Sequence, residues 1–324
     1  MNVGLDIGYS AVKAATDGRK IIFPSVTGNP EGSPMDLREN DRAISFVQPS
    51  NTLVGDEAIV HSRFIQRRED RSWIESDEYY MLFLAALTEL EAGLWTSVRI
   101  VTGLPVAFYS DRNKLRDRLM GEHKAQRKGK AVQTFVVSEC RVIPQPFGTL
   151  LAAALDDFAI IGGTDFAKSM VGIIDIGGKS TNIFTVDRMT EISRQTASVN
   201  LGGWDIIRVL KTQILERFPE LDLRDHQVMD AVTHRKLKYF GETISLSTAI
   251  DEIVAPMADQ VIAQVTQLWD RGANLDTILM TGGGALLLGD RLKQVFRNAR
   301  VVPDPVFANS LGFWKLSQRS GSPT

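Results

Sequence analysis

Cysteine is nearly absent: Cys140 stands alone among 324 residues. One thiol cannot close an intramolecular disulfide or build a thiolate metal cage, so a reducing, cytoplasmic compartment is expected. Histidine is scarce as well. His61, His123, His226 and His234 lack metal-ligand spacing and are expected at the surface or in capping positions. No run of eighteen apolar residues occurs, which excludes an ordinary membrane-spanning helix. The opening MNVGLDIG enters a strand-like pattern with no basic stretch before it, so no signal peptide is expected. The C-terminal end has no basic amphipathic helix, so no membrane tether is expected. Charge of one sign is also missing, with 37 basic against 39 acidic residues and a net charge of −2. That balance argues against a protein that coats nucleic acid. With 44% hydrophobic and 23% charged residues, disorder and low-complexity fibres are excluded.

What is present begins with an internal echo. Residues 3–8 read VGLDIG and residues 171–177 read VGIIDIG, placing Asp6 and Asp175 169 residues apart, about half the chain. Each copy is a short apolar run, an Asp-Ile-Gly, small or hydroxyl residues and more strand, the pattern of a buried strand that turns tightly and returns as a hairpin. On its own the echo could be a chance recurrence of an apolar-Asp-Gly turn.

The rest of the chain repeats a plan of strands with helices. Apolar residues at helical spacing fall at 80–90, 146–155, 206–218, 253–269 and 285–296, and strand-like runs at 98–105, 132–143, 170–176, 182–187 and 277–280. The expected fold class is therefore α/β, in two domains. The first is expected at 1–162 with an insertion near 28–75. The second is expected at 163–324 with an insertion near 219–248. The boundary falls in GGTDFAKS (162–169).

Five segments carry candidate chemistry. In Asp6-Ile7-Gly8-Tyr9-Ser10 the glycine admits close backbone approach, while the following amides and the Ser10 hydroxyl can donate to phosphate. Asp6 is a hard oxygen ligand suited to Mg²⁺ through its waters. Lys13 on the return strand could face the phosphates, although alone it reads more simply as an exposed strand residue. Asp175-Ile176-Gly177-Gly178-Lys179-Ser180 repeats the arrangement, and neither a Walker A nor a Rossmann spacing is present. Gly282-Gly283-Gly284 closes a strand before a helix, a place for ribose, adenine or α-phosphate, or a plain connector. Gln145, between Pro144 and Pro146, can orient a water toward a γ-phosphate; by spacing alone it is an ordinary loop residue. Gly202-Gly203 opens a helix bearing Lys211, which places backbone near a ribose and a cation near the base, or simply caps the helix.

As an ordered set, these segments resemble the actin, sugar-kinase and heat-shock chaperone ATPase superfamily. Within it, VTGLPVAFYSDRNKL (101–115) looks like the LP…YYDRN segment of the ParM/StbA plasmid-segregation actins, and VIPQP falls where that family has a Met-Pro-Glu catalytic segment. The resemblance runs from Asp6 to Gly312. It implies two ribonuclease-H-like, actin-like ATPase domains around a nucleotide cleft, each with a small inserted subdomain. Asp6 and Asp175 would hold Mg²⁺ through water. Gly8, Tyr9, Ser10, Lys13, Gly177, Gly178, Lys179, Ser180, Gly202, Gly203, Lys211, Gly282, Gly283 and Gly284 would bind ATP or GTP. Gln145 and Asp175 would be catalytic, and Asn309 to Gly312 would lie in the second connecting helix. The expected partners are further copies of the chain, added head to tail, and a DNA-bound adaptor protein, with no direct nucleic acid or membrane contact.

Two departures bear on hydrolysis. Gln145 replaces the glutamate of ParM proteins, and Asn182 stands where their second loop often carries aspartate. A small-molecule kinase of the same superfamily and a non-polymerising nucleotide-bound scaffold are the alternatives. A kinase would need a carboxylate base, and glutamine is a poor one. Three remaining features are expected to carry no chemistry. Cys140 reads as a buried small hydrophobe, EHKAQRKGK (122–130) as a solvated helix end and turn, and the five tryptophans as packing.

Overall fold

The computed structural model describes residues 1–30, 43–66, 70–91, 93–156, 160, 166 and 168–319. It is α/β and divides into two units, Met1–Ala167 with Val306–Thr324, and Lys168–Pro305. The boundary expected at 162/163 lies outside the described residues.

Unit 1 is built on a mixed sheet. Strand Ala11–Thr16 returns antiparallel beside Asn2–Ile7, and Trp95–Leu104 and Gln133–Pro144 then add in parallel. Asn2–Ile7 is buried from Val3 onward, as a strand covered on both faces must be. One cover is the helix Asp77–Leu90, in which ten of fourteen residues are buried. Its start is fixed by Ser76, whose Oγ accepts from the Tyr79 amide at 3.2 Å.

The other cover is a helix pair, Gln145–Ala154 and Ala308–Ser317. The second of these had been expected to belong with residues 163–324, but it lies in unit 1. The cause is a close helix crossing: a Cβ at Gly312 would strike the backbone carbonyl of Gly148. Thr149 Oγ1 donates to Asn309 Oδ1 at 2.7 Å, and Lys315 Nζ donates to the Ala152 and Leu155 carbonyls at 3.1 and 2.6 Å.

The expected helix end at 122–130 is instead the strand Gly121–Arg127, antiparallel to Gln133–Pro144. Alternation decides it. His123, Ala125 and Arg127 point inward and are buried, while Glu122 and Lys124 face solvent and Gln126 is half-buried. His123 Nε2 meets the Leu119 carbonyl, at the end of the helix Arg112–Leu119, at 2.9 Å, and Nδ1 meets Tyr80 Oη at 3.1 Å. It is thus a buried cap, and burial holds its pKa below the usual imidazole range. Cys140 is buried as expected, and burial pushes its thiol up to about 12, so it stays protonated and unreactive.

Unit 2 repeats the strand order. Thr181–Asp187 returns antiparallel to Met170–Ile176, and Thr277–Thr281 and Ala299–Val301 follow in parallel. The helices Gly203–Arg217 and Ser247–Trp269 supply the core through Ile206, Leu210, Ile214, Ile250, Val261 and Val265. Residues 225–245 form a short helix, Asp225–His234, and a separate two-stranded hairpin, Lys236–Tyr239 with Glu242–Ser245. No helix among the described residues is long and apolar enough to cross a membrane.

Candidate functional site

Each unit carries an acidic hairpin at the end of its first strand. In unit 1, Asp6 is 5% exposed, and its direct cross-strand partner is Lys13. Lys13 Nζ lies 3.6 Å from Asp6 Oδ2, so the register alone delivers a buried ion pair. The turn closes with the Gly8 amide donating to the Ala11 carbonyl at 3.2 Å. It is braced from outside by Ser25, whose Oγ donates to the Gly8 carbonyl at 2.6 Å and whose amide donates to the Ser10 carbonyl at 3.1 Å. Ser25 is fully buried, and no spacing signal in the sequence marked it. Tyr9 leans on Trp73, ring centroids 6.1 Å apart.

Gln145 joins this hairpin. The strand Gln133–Pro144 ends at the proline, and Gln145 is the first residue of the next helix. Its Nε2 donates to Asp6 Oδ1 at 2.9 Å, and the pair is buried. A carboxylate can only accept, so the NH₂ group faces Asp6 and the amide oxygen Oε1 is turned elsewhere as an acceptor. In the segment 101–115, Asp111 receives both Nε and Nη2 of Arg71, at 2.7 and 3.2 Å, which pins the loop after strand Trp95–Leu104.

In unit 2, Asp175 is 6% exposed and faces Asn182 across the hairpin, seven residues on, as Asp6 faces Lys13. The turn is the same: the Gly177 amide donates to the Ser180 carbonyl at 2.9 Å. Lys179 and Ser180 lie half-buried in it. Asn182 is 3% exposed, and its Oδ1 is buried without a hydrogen-bond partner. An orphaned amide oxygen beside an acid is costly unless something donates to it.

Two glycine segments converge on this hairpin. The Gly203 and Trp204 amides, opening the helix Gly203–Arg217, donate to the Gly177 and Gly178 carbonyls at 2.9 and 2.8 Å. A Cβ at Gly202 would fill the same space as those carbonyls. From the other side, Thr281 is the parallel partner of Asp175, and the Gly284 amide donates to the Ile176 carbonyl at 3.0 Å. Gly282 has φ +82°, and a Cβ there would lie 2.8 Å from Asp175 Oδ1. Gly283 faces open space. Thus Asp175, Gly177, Gly178, Gly202, Gly203, Gly282 and Gly284 form one constellation. Lys211 is two turns further along its helix and is engaged by Asp225 at 2.9 Å.

Among the described residues no group of three or more His, Cys, Asp or Glu forms a metal cage. The donor set at each hairpin turn is a single carboxylate with amides and a lysine. That set suits Mg²⁺, which keeps most of its waters and shares the rest of its shell with phosphate oxygens. The orphaned Asn182 oxygen opposite Asp175 can accept a hydrogen bond from a water of such a hydrated ion.

The same two halves appear in comparisons with known proteins. Residues 4–148 match the N-terminal domain of actin-like proteins, and residues 173–294 match the C-terminal domain of the archaeal MreB-like actin homologue. The chain is thus built of an actin-like N-terminal domain followed by an MreB-like C-terminal domain. Among solved structures it is similar to a non-polymerisable quadruple mutant of pCBH ParM (22% identity, 98% of each chain, TM-score 0.80). It is also similar to a 15-stranded ParM filament from Clostridium botulinum (22% identity, 98% of this chain and 99% of that one, TM-score 0.79). A third is Ta0583, an archaeal actin homolog in complex with ADP (21% identity, 99% and 100%, TM-score 0.80). The fold over nearly the full chain is that of the actin homologues. No curated protein sequence matches the chain.

Proposed function

We propose that the chain is a polymerising nucleoside triphosphatase that binds Mg²⁺-ATP or Mg²⁺-GTP with its two acidic hairpins and hydrolyses it. One observation carries the reading: the buried 2.9 Å bond from Gln145 to Asp6, which couples the residue suited to hold a water to the acid of the first hairpin. Asp6 and Asp175 would hold the ion through its waters. Bound there, Mg²⁺ supplies positive charge to the phosphate oxygens. The Gly8 to Ser10 and Gly177 to Ser180 segments and Lys13 bind the phosphates, while Gly202, Gly203 and Gly282 to Gly284 bring backbone to the nucleoside side of the second hairpin, with Gly283 facing open space. Gln145 is fixed by Asp6 through its NH₂, so Oε1 is left to accept a hydrogen bond from the attacking water and orient it for in-line displacement. Glutamine is too weak a base to take that proton, so the rate rests on positioning and on charge neutralisation.

The similar structures include a filament, which supports head-to-tail addition of copies, a heterologous contact that does not close into a ring. The cellular task proposed is the movement of DNA through a DNA-bound adaptor in the cytoplasm. The test is light scattering of the purified chain with Mg²⁺-ATP, Mg²⁺-GTP and no nucleotide, with released phosphate counted in parallel. Nucleotide-dependent scattering with phosphate release is the expected outcome. Turnover without scattering, accelerated by a sugar, would replace this reading with a kinase.

A further inference from the structure

The hairpin Lys236–Ser245 ends in the two-residue turn Phe240-Gly241, closed by the pair Tyr239 and Glu242. Phe240 has φ +47° and Gly241 φ +84°. Positive φ at both central positions is what a tight hairpin turn of type I′ requires, and Asn-Gly is the sequence that suits it. Phenylalanine at the first position is strained there, because a bulky side chain at positive φ crowds its own backbone. Phe240 is 83% exposed, the highest among the large exposed apolar residues of the described chain. Its ring meets that of the neighbouring Tyr239 edge-on, centroids 4.6 Å apart. A bulky residue held at positive φ with its ring in water is a backbone outlier of the kind from which a functional role is inferred.

The support beneath it is rigid. Tyr239 packs on Phe218, centroids 4.7 Å apart, and donates through Oη to Glu220 Oε2 at 2.9 Å. Leu237, on the same strand, is buried. The ring is therefore held out at a fixed place by a built platform.

We propose that Phe240 is an assembly contact, a knob that packs against a second copy of this chain. The proposal rests on the filament reading above and names a residue for it. One ring offers far too little area for a stable complex with a separate partner, which needs on the order of 800 Å² a side. It is useful as one part of a broad face that is repeated at every step of an array. A heterologous contact also requires two unlike surfaces on one chain. Unit 1 supplies an unlike apolar surface at Leu94 and Trp95, 62% and 65% exposed and tied down by the Thr134 amide on the Leu94 carbonyl at 2.8 Å.

The test is Phe240→Asn, which installs the favoured turn residue and removes the ring. Its midpoint of thermal unfolding should equal or exceed that of the wild type, while the critical concentration for pelleting with Mg²⁺-nucleotide rises at least about tenfold, as expected for the loss of a buried aromatic anchor. Phe240→Tyr should restore pelleting. If Phe240→Asn pellets like a wild-type chain that itself assembles, the contact is refuted while the filament reading stands. A wild type that never pellets with either nucleotide removes the filament reading, and this contact with it.

Discussion

The two acidic hairpins share their geometry and differ in what faces the acid. Asp6 and Asp175 each sit two residues before a glycine whose amide closes the turn, and each pairs with the residue seven positions on. In unit 1 that partner is Lys13, and Gln145 binds the other carboxylate oxygen, so each oxygen of Asp6 is engaged by a group of its own unit. In unit 2 the partner is Asn182, a neutral amide with an orphaned oxygen, and the surroundings are backbone from three glycine segments. Across the first hairpin a cation faces the acid, and across the second a neutral amide whose oxygen lacks a donor faces it. Unit 2 should therefore depend more on the bound cation than unit 1.

The largest effect is expected from Asp175→Ala. Removing the carboxylate at the turn of the second hairpin should reduce Mg²⁺-dependent nucleotide affinity by about a hundredfold or more, with turnover lost alongside. Titration calorimetry with and without Mg²⁺ measures it. Affinity that survives, and stays Mg²⁺-dependent, would mean that the cation rests on the first hairpin alone and would reverse the comparison.

Gln145→Ala comes next and separates chemistry from binding. The water loses its acceptor, so single-turnover hydrolysis should fall about a hundredfold, while nucleotide affinity stays near wild type and assemblies persist longer. Equal hydrolysis by variant and wild type would remove Gln145 from the mechanism and leave its bond to Asp6 as structure only.

How much of this was legible beforehand follows from the interactions involved. The echo at Asp6 and Asp175, the glycine at each turn and the strand ending at Pro144 are local signals, and the elements formed where periodicity and punctuation placed them. The bond between Gln145 and Asp6 spans 139 residues, and nothing in either segment names the other. Ser25 gave no signal because a lone serine after a proline is common in loops, whereas its role depends on where the hairpin turn comes to lie. The return of Ala308–Ser317 to unit 1 was invisible for the same reason, since Gly312 and Gly148 each look like an incidental helix glycine until they are seen to touch. At 122–130 the charges suggested a helix end, but the decisive pattern was the two-residue alternation of His123, Ala125 and Arg127, masked by Lys124 and Gln126 between them.

A smaller effect is expected from Lys13→Met, which keeps the stem and deletes the charge. Asp6 is 7% exposed at its side chain and Lys13 16%, so solvent only partly replaces the lost partner. Gln145 still donates, which limits the cost to about 1–3 kcal/mol of unfolding free energy. The nucleotide-free protein should lose stability in denaturant titrations, and saturating Mg²⁺-nucleotide should recover part of it. A neutral result would mean that the cation across from Asp6 contributes as little as a surface pair, and that the two hairpins are electrostatically alike.

The smallest and most discriminating change is Asn182→Asp. It alters one atom type at nearly constant shape and places two carboxylates directly opposite one another on the antiparallel pair. Like charges in that register destabilise by up to about 1 kcal/mol. That corresponds to a lowering of the unfolding midpoint by about 2–4 °C in a domain of this size. Millimolar Mg²⁺ should cancel the loss in the variant and leave the wild type nearly unchanged, because the added oxygen is a second acceptor for the ion's waters where Asn182 already offers one. Thermal scans of both proteins with and without Mg²⁺, and no nucleotide, give the answer. A variant that is destabilised equally with and without Mg²⁺ would place the Asn182 oxygen away from any cation and leave its burial unexplained. A variant rescued by Mg²⁺ would place a cation's waters at the cross-strand pair of positions 175 and 182.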